Sequence, residues 1–558
     1  MSKRKKDGKE IAVQSGATDK LFNFRPFFFT GAFLCLGVAF GYFYRFQNVS
    51  AWWLTALLPC AITPFLFCNN RVRLKKTALA LLVLTAAFAL GTFSFSGQVR
   101  NYTNTPVYEG EHTVEGRVLE RRENDYGIVV LLDRIRIDGK EEDGKLVAYL
   151  PASFSENIIL SDCLVLEGEV KTDTQLSNDY GFYAEKLNDD RRFKMSVESC
   201  VIVEGDFDLF LFLRQRIRTV TYAGMDETSA ALTVATLTGD TYGIEEGLLE
   251  NVRRGGIAHV FAVSGLHVGA LYAFCLSLFS KTKLKNTPKG IRFALLTAIL
   301  LFYGGICGFS ASVIRATVLC LTFYLSKLVG IASDSTESLG LAAIAVLLIS
   351  PVDLFTVGFQ LSFVACLGIV WLARPLQTGT YALAGKVKGW IVRGEKNTNA
   401  KNRAERPPSV SERIVRVCVS FLSVTVAAQI ATAPILLSSF GYLSVWSLLL
   451  NCLFVPLISA AFSLLLLFVA VACLLPTAVS SVVLYLPFVV WSALILLFQT
   501  VEFSVVLENL VLSGGSLLCY YMGLTFSTDK WNMKKSLKIV VVVMCFIGFG
   551  ITVYALNR

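Results

Sequence analysis

Histidine is nearly missing from this chain: there are three, at positions 112, 259 and 267, among 558 residues. No cluster of them could hold a catalytic zinc ion. No Gly-x-x-x-x-Gly-Lys-[Ser/Thr] loop occurs, which excludes ATP hydrolysis of the P-loop kind. The 14 cysteines are spread thinly, mostly inside apolar runs, and no Cys-x-x-Cys is present. They read as small buried hydrophobes and not as a metal or redox site. Charge is scarce too, at 17% of residues, and it gathers between long apolar runs. No cofactor is implied. What fills the chain is apolar: 54% of residues are hydrophobic and mean hydropathy is +0.57. That is the composition of a membrane protein, not of a soluble core.

Residues 1–25 are polar and open with Ser2-Lys-Arg-Lys-Lys6. An apolar run follows almost at once and no small-residue cleavage site stands out, so the segment reads as a cytoplasmic tail. Residues 26–96 hold Phe27–Tyr44, Trp52–Cys68 and Thr77–Phe95, each near the roughly 20 apolar residues that span a bilayer. The basic link Arg71-Val-Arg-Leu-Lys-Lys76 is cytoplasmic by the positive-inside rule. The third span then delivers the chain to the outside.

Residues 104–205 change character. Short alternating runs, His112–Leu119, Ile128–Ile137, Leu146–Pro151, Leu164–Lys171 and Phe193–Val203, are separated by Gly, Asn and Asp. They predict about five strands of a small extracytoplasmic β domain, a number that suits an OB-fold barrel. Although the whole chain has a net charge of +10, this domain carries about twelve Lys/Arg against about twenty-two Asp/Glu, and a surface near −10 repels phosphates. Any DNA contact must therefore be local, at Arg121-Arg122 or at Arg191-Arg192 with Phe193; a structural or docking role serves equally well. Cys163 and Cys200 are the only cysteines between the third span and Ile257. In an oxidising compartment they are expected to form a disulfide, the alternative being two buried thiols.

Residues 206–256 predict amphipathic or interfacial helices. Phe207–Met225 sets Leu209, Leu213, Ile217 and Val220 against Arg214, Arg216 and Arg218, a pattern for a helix in the interface plane or one packed on a bundle. Glu227–Leu237 and Glu245–Arg254 follow, neither apolar enough to span. Spans resume over 257–373 with Ile257–Ser280, Phe293–Gly308, Val313–Val329, Leu339–Ile349 and Phe355–Leu372. Within 374–416, Lys386–Arg416 is rich in Lys, Arg, Asn and Pro and reads as a disordered cytoplasmic loop. Residues 417–556 add Val417–Leu437, a long pair within Leu448–Phe498, Leu510–Phe526 and Ile539–Ala555. The sum is a polytopic α-helical membrane protein of about 12–13 crossings with an inserted β-barrel domain, N-terminus inside and C-terminus outside.

The most informative stretch is Gly255-Gly-Ile-Ala-His-Val-Phe-Ala-Val-Ser-Gly-Leu-His-Val-Gly269. Polar groups at membrane depth usually face a cavity or a pathway. His259 and His267 share a helix face only if Ser264-Gly265 leaves the helix unbroken. Three readings stay open: structural bonds to neighbouring helices, Ser264 as nucleophile with His267 as base, or the lining of a polar pathway.

Leu237-Thr-Gly-Asp240 together with Ala258-His-Val-Phe-Ala-Val-Ser-Gly-Leu-His-Val268 resembles the signature of the ComEC family, membrane channels of natural DNA uptake. Ser350-Pro-Val-Asp-Leu-Phe-Thr-Val-Gly-Phe-Gln-Leu-Ser-Phe363 resembles a second block, with Ser350 where Asn is usual. Ala433-Pro434, Phe440-Gly441 and Asn451 through Pro456 resemble a third. Asn178 to Leu187 is similar to the family's segment between its last strands. The resemblance implies an OB-fold in 104–205 and a multi-pass channel in the bacterial cytoplasmic membrane that passes single-stranded DNA. Its partners would be that strand, the lipid bilayer, a DNA receptor, a nuclease and a cytoplasmic motor ATPase. Many such proteins carry a metallo-β-lactamase-like domain with a His-x-His-x-Asp-His motif after the last span. The motif is absent here, so an accompanying nuclease is expected on another polypeptide and no enzyme activity on this one.

Pathway candidates are the polar residues in or near the matching blocks: Asp240, His259, Ser264, His267, Arg315, Gln360, Ser362 and Asn451. Arg315 suits a phosphate guide or a cation snorkelling to the interface. Gln360 and Asn451 would also serve as bonds between helices. The competing functions are a solute transporter with broken helices and an intramembrane hydrolase built on Ser264 and His267.

Overall fold

The computed structural model describes residues 25–46, 71–124, 127–151, 154, 158–178, 181–203, 205–241, 243–256, 263–331, 333–391, 410–444, 446–499, 506–508, 512–528 and 535–556. The chain is mostly helical. Among the described residues, eight helices are long and apolar enough to cross a membrane, and two shorter apolar ones accompany them. The expected span Trp52–Cys68 lies outside the described residues.

Helices α1 (Pro26–Phe46) and α2 (Arg71–Thr103) run side by side in the same direction, Gly37 against Phe88 and Gly41 against Thr92 and Phe95, in a contact made of glycine. Leu34, Gly37, Val38 and Gly41 make the buried stripe of α1. A Cβ on Gly37 would lie 2.0 Å from the Phe88 carbonyl oxygen, and one on Gly91 would lie 2.4 Å from that of Leu34. Small residues let two backbones approach closely where lipid supplies no hydrophobic drive. Thr92 Oγ1 donates to the Gly37 carbonyl at 3.0 Å across the seam.

The β domain has five long strands: β1 (Glu109–Asn124), β2 (Gly127–Ile137), β3 (Lys145–Pro151), β4 (Cys163–Thr172) and β5 (Arg191–Val203). Each contains one of the runs read from the sequence. Pairing runs β1–β4–β5–β3–β2 and returns to β1, antiparallel except for β3–β5. Val114, Val118, Val130, Leu132, Leu146, Ala148, Leu164, Leu166, Phe193 and Met195 fill its interior. Alternation along β4 places Leu164 and Leu166 inside and leaves Cys163 and Val165 less buried.

That register overturns the expected disulfide. Cys163 pairs with Val203, and Cys200 pairs with Leu166. The two cysteines are thus three residues out of register on adjacent strands, so they point to opposite faces, with Cα atoms about 11 Å apart at ordinary strand spacings. A bridge needs less than about 7 Å. Nearness in sequence and an oxidising compartment do not fix register.

Three contacts seat the β domain on the bundle. Arg117 on β1 grips Asp133 with Nε and Nη2 at 2.9 and 2.7 Å, and reaches Asp208 with Nη1 at 2.9 Å. Asp208 is also the N-cap of α3 (Leu209–Gly224), accepting from Phe210 and Leu211 N–H; the Leu211 bond and Arg117 hold its carboxyl below the usual range. Tyr102 at the end of α2 donates to the Arg191 carbonyl of β5. The turn Pro351–Phe355 docks on the short helix Ala184–Asn188 and on α2: Ser350 Oγ donates to Asn188 Oδ1 at 2.7 Å, and Val352 N–H donates to Gln98 Oε1 at 3.3 Å.

Asp353 in that turn is buried at 9% exposure. Burial pushes its carboxyl up from 3.8 to about 6, against the lowering effect of the Asn188 side chain. A carboxyl raised on folding contributes stability fully below its unfolded value, near 4, and that contribution is lost as pH rises through 6. Asp353→Asn is therefore expected to leave stability unchanged near pH 4 and to stabilise the protein at pH 7.5, by on the order of 1–3 kcal/mol. Thermal melts of both proteins across that range check it. A difference that does not vary with pH would count against the assignment.

Helix α3 packs on the bundle, as one of its two sequence readings had it. Leu211, Ile217 and Val220 are buried. Its arginines end other helices: Arg214 Nε donates to the Ile306 carbonyl at 2.6 Å, and Arg216 donates to those of Cys473 and Leu475. Cations at helix C-termini satisfy spare carbonyls and the negative end of the dipole. Next come α4 (Glu227–Thr238), buried from Ser229 to Thr238, and α5 (Glu246–Arg254).

The remaining helices are α6 (Gly265–Lys281), α7 (Lys289–Ile306), α8 (Ala311–Val329), α9 (Ser335–Ile349), α10 (Val357–Ile391), α11 (Val410–Phe440), α12 (Ser447–Leu474), α13 (Thr477–Gln499), α14 (Gly514–Ser527) and α15 (Lys535–Leu556). Within the span expected from Ile257, Ser264 is extended and caps α6 at Gly265; residues 257–262 lie outside the described residues. One expectation is corrected. The loop expected over Lys386–Arg416 is helical at both ends, in α10 and α11. Pro434 inside α11 explains part of the third family-like block. Proline leaves the carbonyl four residues back without its donor. That carbonyl, on Ile430, accepts Tyr520 Oη at 2.7 Å, and the next, on Ala431, accepts Tyr521 Oη at 2.9 Å.

Candidate functional site

Ser264 is extended (φ −130°, ψ 170°) and ends in the first turn of α6. Its backbone N–H donates to His267 Nδ1 at 3.1 Å, and its Oγ lies 3.4 Å from the same nitrogen. His267 thus takes the reciprocal place in a capping box, where a Glu or Gln usually reaches back. The ring is fully buried and lies against Phe462 of α12, with centroids 4.5 Å apart. Nδ1 is engaged as an acceptor from the backbone, which argues against His267 as a base for Ser264. His259 lies outside the described residues.

Arg315, one turn into α8, meets this cap. Its Nη2 lies 2.6 Å from where a Cβ on Gly265 would stand, so any larger residue there would push the guanidinium aside. Nη1 donates to the Ser362 carbonyl and to Cys366 Sγ on α10, and the guanidinium lies 5.9 Å from the Phe363 ring centroid. Ser312 Oγ donates to Ser362 Oγ at 3.0 Å. The first turns of α6, α8 and α10 are thereby drawn together. Gln360 sits just above, where its Nε2 donates to the Leu354 carbonyl at 3.1 Å and closes the docked turn. Asn451 is in the first turns of α12; its Oδ1 is buried with no hydrogen bond among the described residues.

Asp240 lies elsewhere, in the loop after α4, where its Oδ2 is 3.7 Å from Arg218 Nη1. Burial raises its carboxyl, and Arg218, Arg214 and Arg122 oppose that rise. On the β-domain side, Arg122 is 3.6 Å from Glu120, Arg191 pairs with Asp189, and Arg192 pairs with Asp190 at 2.8 Å while donating to Thr105. Phe193 is fully enclosed in the domain core and Arg192 is 5% exposed. Neither offers a face to a base, so these two are corrected from surface contacts to parts of the fold. Arg121 does face an opening. With Ile158, Leu160, Gln215, Arg218 and Tyr222 it lines a cleft of about 220 Å³ between the β domain and α3. Arg218 lies 5.5 Å from the Tyr222 ring centroid there.

The Competence protein family model matches residues 236–534, more than half of the chain. The chain belongs to this competence family. It is also 25% identical over 289 residues to ComE operon protein 3 of Bacillus subtilis strain 168, a match that covers 52% of this chain and 31% of that protein. The chain thus aligns with about a third of its relative's length. No solved structure matches it.

All eight pathway candidates fall inside the competence match, whereas the β domain precedes it. Ser264, His267, Arg315 and Ser362 come together; Gln360 adjoins them, and Asp240 does not. Sequence reading missed Gly265 as the seat of a guanidinium, Cys366 and Ser312 as partners of that cluster, and Gln215, Arg218 and Tyr222 as walls of the cleft. The small-residue run Gly304 to Ser312, just before Arg315, was the available signal for the first group.

Proposed function

We propose that this competence protein is the path by which single-stranded DNA crosses the bacterial cytoplasmic membrane during natural transformation. The observation that carries the reading is the meeting of blocks far apart in sequence, Ser264–His267, Ser312–Arg315 and Gln360–Ser362, at one polar cluster inside apolar helices. Polar groups gathered at membrane depth belong to a pathway more often than to packing alone. In this reading the β domain is an extracytoplasmic OB-like barrel; the cyclic strand pairing, with its one parallel pair, supports that. It delivers the strand through the turn at Asp353 to the start of α10. The 386–416 segment and the N-terminus are cytoplasmic, the C-terminus is outside, and receptor, nuclease and motor ATPase are separate proteins. His259 and Asn451 continue the lining beyond the cluster. A hydrolase reading is disfavoured by the capping role of His267.

His267→Ala removes the acceptor for the Ser264 N–H and lets the start of α6 fray. It is expected to lower DNA entry to the cytosol on the order of tenfold, the effect of losing about 1–2 kcal/mol of capping and packing, while membrane insertion and surface DNA accumulation stay normal. The measurement is transformation frequency beside protease-resistant cytosolic DNA. Normal uptake by a well-expressed His259→Ala/His267→Ala double variant would sink the reading.

A further inference from the structure

Four arginines are buried among the described residues: Arg25 at 4% exposure, Arg117 at 9%, Arg192 at 5% and Arg315 at 7%. The first three each hold a carboxylate, on Asp334, on Asp133 and Asp208, and on Asp190. Arg315 holds a carbonyl, a thiol and an aromatic face, all neutral groups. Its Nε has no hydrogen-bond partner among the described residues. The Nε–Nη2 edge is the one with which Arg117 forks onto Asp133; in Arg315 the Nη2 corner of that edge packs against Gly265, 2.6 Å from where a Cβ would stand, so no side chain at 265 separates it from the first turn of α6. Gly265 opens the 17-residue helix α6, so Nη2 lies at the positive end of a helix dipole. A buried guanidinium opposite a helix N-terminus, with no counter-charge, is costly to keep. Both groups are suited to the same ligand, a phosphate, which a helix N-terminus and a fork-shaped guanidinium each bind well.

We infer that Arg315 and the first turn of α6 form a phosphate-binding point that takes one phosphodiester of the passing strand at a time. The identity of the anion as DNA rests on the channel reading; the existence of the anion site does not. Lysine at 315 would keep the charge and lose the fork.

The test uses the full chain in lipid nanodiscs, melted in phosphate-free buffer and then with inorganic phosphate, a short oligothymidylate, or its uncharged methylphosphonate analogue. The wild type is expected to be stabilised by phosphate and by oligothymidylate, and not by the analogue. Arg315→Met is expected to melt no lower than wild type without anions and to gain nothing from either. Gly265→Ala, which fills the space beside Nη2, is expected to lose the response too and serves if Arg315→Met does not fold. Transformation by Arg315→Met should fall about tenfold to a hundredfold, the range that charge-assisted hydrogen bonds command, with Arg315→Lys between it and wild type. Equal stabilisation by phosphate in wild type and both variants overturns the site, as does no stabilisation of the wild type. If the phosphate response is lost in the variants but transformation is normal, the anion site stands and the channel reading fails.

Discussion

Arg117→Met is expected to loosen the β domain from the bundle and to destabilise the protein by about 3–5 kcal/mol, the cost of breaking one side of a buried ion pair. The side chain is one-tenth exposed, and its partners Asp133 and Asp208 are about a fifth to a quarter exposed. Removing the cation leaves two carboxylates facing each other across the joint. Asp208 would still cap α3 through Phe210 and Leu211, but with repulsion from Asp133 where there was attraction. The joint matters because α3 holds the ends of α7 and α12 through Arg214 and Arg216. Arg117→Lys should recover less than half of the loss, since a point charge cannot fork onto Asp133 while also reaching Asp208. Thermal melts, with limited proteolysis between β5 and α3, provide the check. An Arg117→Met protein within about 0.5 kcal/mol of wild type, the scatter of ordinary surface changes, would show that the pair contributes nothing net.

The strands were legible because alternation and turn residues are local: β3 and β5 begin within two residues of the expected Leu146 and Phe193. The spans were legible by composition, although α6, α9 and α14 are shorter than a full span. What depends on register or on contact between distant residues was not legible. Cys163 and Cys200 look like a pair until the β4–β5 register is known. Phe193 beside two arginines looks like a stacking platform, yet strand alternation turns it inward. Arg315 looked like a phosphate guide or a snorkelling cation; its burial against Ser362 and Gly265 comes from contacts between distant residues that the sequence does not display. Asp240 shares a family block with Ser264 in sequence but pairs with Arg218 of α3, a contact between elements that spacing along the chain does not reveal.

The close contact of α1 with α2 follows from glycines that no periodicity argument singled out, and it yields the other large effect. Gly37→Ala is expected to cost about 1–3 kcal/mol, the usual penalty of overpacking, even though alanine favours a helix over glycine by up to about 1 kcal/mol. The added methyl would meet the Phe88 carbonyl oxygen at 2.0 Å and its carbon at 2.8 Å. These are backbone atoms of a continuous helix and cannot turn aside as a side chain would. The helices must part, which also breaks the bond from Thr92 to the Gly37 carbonyl. Gly97 on α2 is the internal control, since a Cβ there meets nothing within 4 Å; Gly97→Ala should be neutral or slightly stabilising. The damage should also travel along α2, whose far end carries Gln98 and Tyr102, the contacts to the Val352 turn and to β5. Gly37→Ala is therefore expected to expose the β domain to protease at temperatures where the Gly97→Ala protein is still protected. Coincident melting and cleavage of the two variants would mean that α1 and α2 can shift apart at no cost, and that their glycine seam does not set the position of the β domain.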